Sequence, residues 1–105
     1  MKPLDYTPLK VDYISIAKAS VFKYINTADF KIFVFGSRAK NTNHRFSDLD
    51  IGIIGAAPLP SHILLSLENE LAQSRIPFKV DVVDFSTADE AFKREAMKDV
   101  VWWND

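Results

Sequence analysis

Asp48 and Asp50 stand two residues apart in Ser47-Asp48-Leu49-Asp50-Ile51, where an apolar run begins that reads as a strand. A period of two sends both carboxylates to one face and turns Leu49 and Ile51 toward the core. Two adjacent acids raise one another's pKa and call for cations or ligands. Mg²⁺ suits them, because it takes oxygen ligands, commonly one or two carboxylates completed by phosphate oxygens and water. A third acid, Asp81, lies between Val80 and Val82 on another β-branched run and is placed to approach the first pair across a sheet. Three carboxylates allow two Mg²⁺ ions roughly 3.5–4 Å apart, one activating an attacking oxygen and one stabilising a departing oxygen. Gly36-Ser37 offers a holder for a triphosphate: glycine lets the backbone come close, N–H groups at a helix start attract anions, and the serine hydroxyl adds a donor.

The elements that must position these residues follow from periodicity. Val11, Ile14, Lys18, Val21, Phe22 and Ile25 fall near helical spacing, so about 10–26 reads as an amphipathic helix, ended by Asn26-Thr27-Ala28-Asp29. Lys31 to Phe35 is a buried strand that runs into Gly36-Ser37, and a polar loop leads to a second strand from Asp48 to Ile54. Pro58 and Pro60 stop it. Ser61 is a candidate cap for a helix in which Leu64, Leu67 and Leu71 face inward and Glu68 and Glu70 face water, ending near Gln73. Lys79 to Phe85 reads as a third strand, with Asp84 facing away from Asp81. Ser86 and Asp89 resemble a capping arrangement for a helix through Lys98, and the apolar tail Val100-Val101-Trp102-Trp103 is assigned to the core. The expected class is α/β (α+β): a small mixed sheet of about three or four strands flanked by helices.

Composition narrows the partners. At 105 residues and 48% hydrophobic the chain is expected to form one domain over 1–105, with no linker or repeat. Thirteen basic against fourteen acidic residues leave a net charge of −1, a poor match to a phosphate backbone, so no direct nucleic-acid partner is expected. Without cysteine there is neither disulfide nor thiolate metal site, and His44 and His62 lack zinc-site spacing. The start of the chain lacks the apolar core of a signal peptide, and no apolar run approaches the roughly 20 residues that span a bilayer. A soluble cytoplasmic protein with no membrane partner is the expectation.

Gly36-Ser37, ten intervening residues, then Asp48-Leu49-Asp50, with a later hydrophobic-Asp-hydrophobic strand, resembles the polymerase-β-type nucleotidyltransferase signature. Phe35-Gly36-Ser37-Arg38-Ala39 with Ser47-Asp48-Leu49-Asp50-Ile51 is similar to its minimal nucleotidyltransferase branch. That resemblance, which spans most of the chain, implies transfer of a nucleoside monophosphate from ATP or another nucleoside triphosphate to a hydroxyl. Many members of the branch are antitoxins encoded beside a HEPN-domain toxin, an RNase, and some silence it by attaching AMP to a tyrosine. Carried over, Gly36 and Ser37 would hold the β- and γ-phosphates, Asp48 and Asp50 would bind both metals, and Asp81 would ligate one and help deprotonate the acceptor. One departure stands out: Asn41 occupies a place where the family usually has glycine, and asparagine tolerates the left-handed conformation better than most residues. Larger relatives add a second domain to hold nucleobase and acceptor, so a homo- or hetero-oligomer would complete the pocket.

Blander readings stand beside these. Asp-x-Asp alone is common at strand ends, Arg38 and Lys40 read as solvated cations, and Arg45 is as well placed to pair with Asp48 as to do chemistry. Two other functions fit the same residues: a non-catalytic antitoxin acting by complex formation, and a transferase acting on a small molecule.

Overall fold

The computed structural model describes residues 11–44 and 46–104. In chain order these form α1 (Tyr13–Tyr24), β1 (Phe30–Phe35), a 3-10 turn (Gly36–Arg38), β2 (Leu49–Gly55), α2 (Ser61–Gln73), β3 (Val80–Asp84), α3 (Glu90–Ala96) and β4 (Val101–Trp102). The strands make one mixed sheet in the order β3-β2-β1-β4. β1 runs antiparallel to β2 and β4, while β2 and β3 are parallel, joined by a crossover through α2. A mixed sheet with helices was the expected class, and the apolar tail supplies its fourth strand.

Each helix starts where a side chain or a proline permits. Asp12 caps α1 by accepting from Ser15 N at 3.1 Å, so the helix begins later than the periodicity of Val11 suggested. α2 begins on Pro60 with no side-chain cap, and Ser61, expected to cap it, is its first helical residue. Asp89 caps α3 by accepting from Ala91 N and Phe92 N. Ser86, the other expected cap, instead accepts from Gly55 N at 3.0 Å and closes the far end of β2. α3 ends at Ala96, short of Lys98.

The sheet has two unlike faces. Ile32, Val34, Leu49, Ile51, Ile53 and Val82 point to one side and form a single buried cluster with Ala17, Val21, Leu67 and Leu71 of the two long helices. On the other side lies a row of rings: Phe33 touches Phe35, Phe85 and Trp102, and Phe85 stacks on Phe92 of α3 at 5.4 Å. Gly52 makes room for this row, since a Cβ there would strike the Phe33 ring and lie 2.9 Å from Phe85. Of the two tryptophans, Trp103 packs against the core, whereas Trp102 stays 47% exposed. Asn104 extends the short β4 by side-chain bonds: its Oδ1 accepts from Ile32 N at 2.7 Å and its Nδ2 donates to Phe30 O at 2.9 Å.

Glu70 does not face water as its place on α2 suggested. Its carboxylate accepts from Ser20 Oγ at 2.8 Å, Lys23 Nζ at 2.8 Å and Tyr24 Oη at 2.9 Å, all on α1. These donors hold its pKa down to about 2. The tie between α1 and α2 is therefore complete above the ordinary carboxylate pKa of 4.5 and is lost as pH falls through about 2. Glu70→Gln should lower the melting temperature at pH 7, with the difference from wild type shrinking as pH drops through that window in thermal scans. Gly52→Ala should destabilise by about 1–3 kcal/mol through overpacking against Phe33, read by urea unfolding.

Candidate active site

The site begins where β1 stops. Phe35, its last residue, lies opposite Asp50 in the antiparallel register, and Gly36 then turns the chain with φ +77. Only glycine fits there for two reasons: the positive φ, and the Asp50 carboxylate, whose Oδ2 would lie 2.5 Å from a Cβ at this position. Ala39 N and Lys40 N both donate to Gly36 O at 3.1 Å, and Thr42 N donates to Ser37 O at 3.0 Å. Closing that turn needs Asn41 at φ 61, the left-handed conformation that asparagine was expected to tolerate in place of glycine. The helical piece is a single 3-10 turn, so attraction for an anion rests on its local N–H donors and the Ser37 hydroxyl rather than on a macrodipole.

Arg38 is not a solvated cation. Its Nε and Nη2 donate to Ser47 O at 3.1 and 2.8 Å, and its guanidinium lies 4.3 Å over the Phe78 ring. The arginine thus pins the end of the loop immediately before Asp48. Ser47 is held again by His44, whose N donates to its Oγ at 2.9 Å. Arg45, considered as a partner for Asp48, lies outside the described residues.

Parallel pairing of β2 with β3 places Asp50 directly beside Asp81, on the face away from Leu49, Ile51 and Val82. Asp48 precedes Asp50 by two residues and is exposed, while Asp50 and Asp81 are half-buried. Asp50 carries the strain of this arrangement. Burial pushes its carboxyl above the usual range, and the charges of Asp81 and Asp48 push it further, opposed by Lys79. Lys79 Nζ sits 3.5 Å from Asp81 Oδ1, and its carbonyl accepts from Leu49 N at 2.9 Å. Asp84 faces the other way, as its odd spacing required, and accepts from Leu59 N and Ser86 N.

Three carboxylates in one another's field, Asp48 exposed and Asp50 and Asp81 half-buried, with a glycine cradle under Asp50, could offer oxygen donors to a hard divalent cation. Among the described residues no three acids or histidines already converge on one metal position, so oxygens from a bound triphosphate and water would complete any coordination. A groove of about 880 Å³ lies away from these acids, beside Glu70 between α1 and α2, and takes no part in the site. Sequence reasoning missed Lys79 and the bracing role of Arg38. Lys79 was detectable, because it shares the strand parity of Asp81; the contact of Arg38 with Ser47 depends on a loop path that spacing does not reveal.

Residues 11–103 match the family described as polymerase beta, nucleotidyltransferase. Over 85 residues the chain is 32% identical to a probable protein adenylyltransferase MntA from Haemophilus influenzae, covering 81% of this chain and 73% of that one. Among solved structures, it superposes with a TM-score of 0.69 and 27% identity on a chain of a toxin–antitoxin complex with AMP-PNP, covering 90% of this chain and 75% of the other. At 21% identity and a TM-score of 0.60 it shares the fold of a chain in the complex of tri-AMPylated HEPN toxin with MNT antitoxin from Shewanella oneidensis, covering 87% of this chain and 72% of that one.

The raised pKa of Asp50 has a sign that can be tested. A carboxyl whose folded pKa is raised contributes stability at low pH that is lost as pH rises through that pKa. Asp50→Asn should therefore be more stable than wild type at pH 7 without metal or nucleotide, by less than about 1 kcal/mol after solvent screening. That gain should vanish in acid, where the wild-type carboxyl is itself neutral, and urea unfolding at several pH values would display both results.

Proposed function

Because the chain belongs to the polymerase beta nucleotidyltransferase family, we propose that it is a Mg²⁺-dependent protein adenylyltransferase that moves AMP from ATP to a tyrosine hydroxyl of a HEPN-family toxin, acting as its antitoxin. The observation that carries this reading is the register that sets Asp50 beside Asp81, with the charge of Asp48 acting on Asp50 and Gly36 beneath the Asp50 carboxylate. The relative from Haemophilus influenzae supports protein as acceptor and adenylyl as the group moved, and the complex with AMP-PNP, an ATP analogue, supports the nucleotide and the toxin partner.

Each residue has a distinct task in this reading. The N–H donors of the Gly36–Arg38 turn and the Ser37 hydroxyl hold the β- and γ-phosphates, placing the α-phosphate over the acids. Asp48, Asp50 and Asp81 would hold the Mg²⁺ that the reaction needs, two ions being expected. When bound, the metal supplies charge for the phosphoryl oxygens and lowers the pKa of the attacking hydroxyl. Asp81 stands on β3, beside Asp50 of β2, and accepts the acceptor's proton. Arg38 keeps Asp48 in place through Ser47. With no cysteine to oxidise, the chain suits the cytoplasm, where its nucleotide is plentiful.

Intact mass spectrometry of a HEPN toxin incubated with this protein, Mg²⁺ and each nucleoside triphosphate tests the reading. The expected result is a gain of one or more AMP masses with ATP, lowered at least about 100-fold in initial rate by Asp48→Ala, Asp50→Ala or Asp81→Ala. A toxin that stays unmodified yet is inhibited in a stable complex, equally by wild type and by the acid variants, would replace the enzyme with an antitoxin that acts by binding alone.

A further inference from the structure

Lys79 immediately precedes β3 and shares the strand parity of Asp81, so its side chain leaves the sheet on the face that carries the acids. Its Nζ lies 3.5 Å from Asp81 Oδ1 with the side chain 69% exposed. A long, solvated ion pair of this kind contributes little to stability, so exchanging it for another partner costs little. What fixes Lys79 in space is its backbone, through the 2.9 Å bond from Leu49 N to its carbonyl. The lysine is therefore anchored at the main chain, while its tip makes a long, solvated ion pair that exchanges readily.

The strand order gives that tip a side. With β3, β2 and β1 adjacent in that order, Gly36-Ser37 at the end of β1 and Lys79 at the start of β3 flank Asp48 and Asp50 from opposite directions. In-line displacement at phosphorus also has two sides, the leaving oxygen on one and the attacking oxygen on the other. With the β- and γ-phosphates on the Gly36-Ser37 flank, the acceptor enters on the Lys79 flank. Arg38 does not serve there, since it donates to Ser47 O and covers Phe78.

We propose that Lys79 is the acceptor-side cation of the transfer reaction: its ammonium leaves Asp81 and donates to the acceptor oxygen as that oxygen loses its proton. This rests on the nucleotidyl-transfer reading above. In the step, the proton of the acceptor hydroxyl passes to the Asp81 carboxylate, and the freed electron pair forms the bond to the α-phosphorus. The bond from the α-phosphorus to the bridging oxygen breaks, and pyrophosphate departs with that pair. Lys79 keeps its protons and stabilises the negative charge on the acceptor oxygen before the new bond is complete.

AMP transfer to a HEPN toxin, followed by intact mass, should be compared for wild type, Lys79→Met and Lys79→Arg, with the Kd for Mg·ATP measured alongside. The toxin is made both with ordinary tyrosine and with 3-fluorotyrosine, whose hydroxyl is more acidic. Lys79→Met is expected to lower kcat on the order of 10–100-fold while leaving the Kd within about two-fold. The deficit should shrink on the fluorinated toxin, since a more acidic acceptor needs less help, and Lys79→Arg should recover most of the rate. A weakened Kd with unchanged kcat would move Lys79 to the triphosphate and overturn the inference, as would an equal deficit on both toxins. Undiminished transfer by Lys79→Met would overturn the role of Lys79 alone; no transfer by wild type would overturn the transferase reading and this inference with it.

Discussion

Period-two alternation along β2, locked in register on both sides, is the constraint from which the site follows. Leu49, Ile51 and Ile53 are fully buried under α1 and α2, so they cannot change faces without exposing the centre of the core. Asp50 is consequently held on the opposite face, with Asp48 just before the strand. The same ladder fixes Asp81 beside Asp50 and Phe35 across from it. A slip of one residue would bury two carboxylates and turn three aliphatic side chains to solvent, which makes the hydrophobic core the device that aims the polar residues.

Having aimed them, the fold leaves them in tension. Burial, Asp81 and Asp48 all disfavour charge on Asp50, and a single lysine opposes the three. A protein selected for stability alone would place a neutral residue there. The Glu70 cluster shows the contrast within one molecule: a carboxylate used for structure receives three donors from α1, whereas the carboxylates of the site are given one another. In the proposed function, cations and a ligand arriving from solution would relieve this repulsion.

Much of this was legible in the sequence because it rests on local rules. Alternation predicted that Asp50 and Asp81 share a face, whereas Asp48, expected to open β2, precedes its first residue, Leu49; the left-handed turn was anticipated from asparagine at position 41. Capping was read less well. Ser61 and Ser86 are good caps by type, yet Pro60 and Asp89 hold those positions, because the path of the incoming chain decides which residue is last before the helix. Glu70 and Arg38 were placed in water by sequence; both are engaged with residues distant in sequence or across a loop, where no periodicity points. Trp102 and Trp103 were treated as one apolar tail, but neighbours on a strand face opposite sides, so one packs on the core and the other on the ring of Phe33.

The short edge strand governs how this chain can come together. β1, Phe-Lys-Ile-Phe-Val-Phe, is an aggregation-prone type of segment, apolar, aromatic and with one charge, and among the described residues one of its edges is covered by β4, the Trp103 N–H and the Asn104 amide. Asn104 bonds to Ile32 from 72 positions away. During synthesis, β1 therefore emerges long before its second neighbour exists, and the sheet keeps an unpaired edge until residues 101–104 have left the ribosome. Hence the two-residue strand, trivial in area, sets the interval during which a nascent chain is open to pairing with another copy of itself.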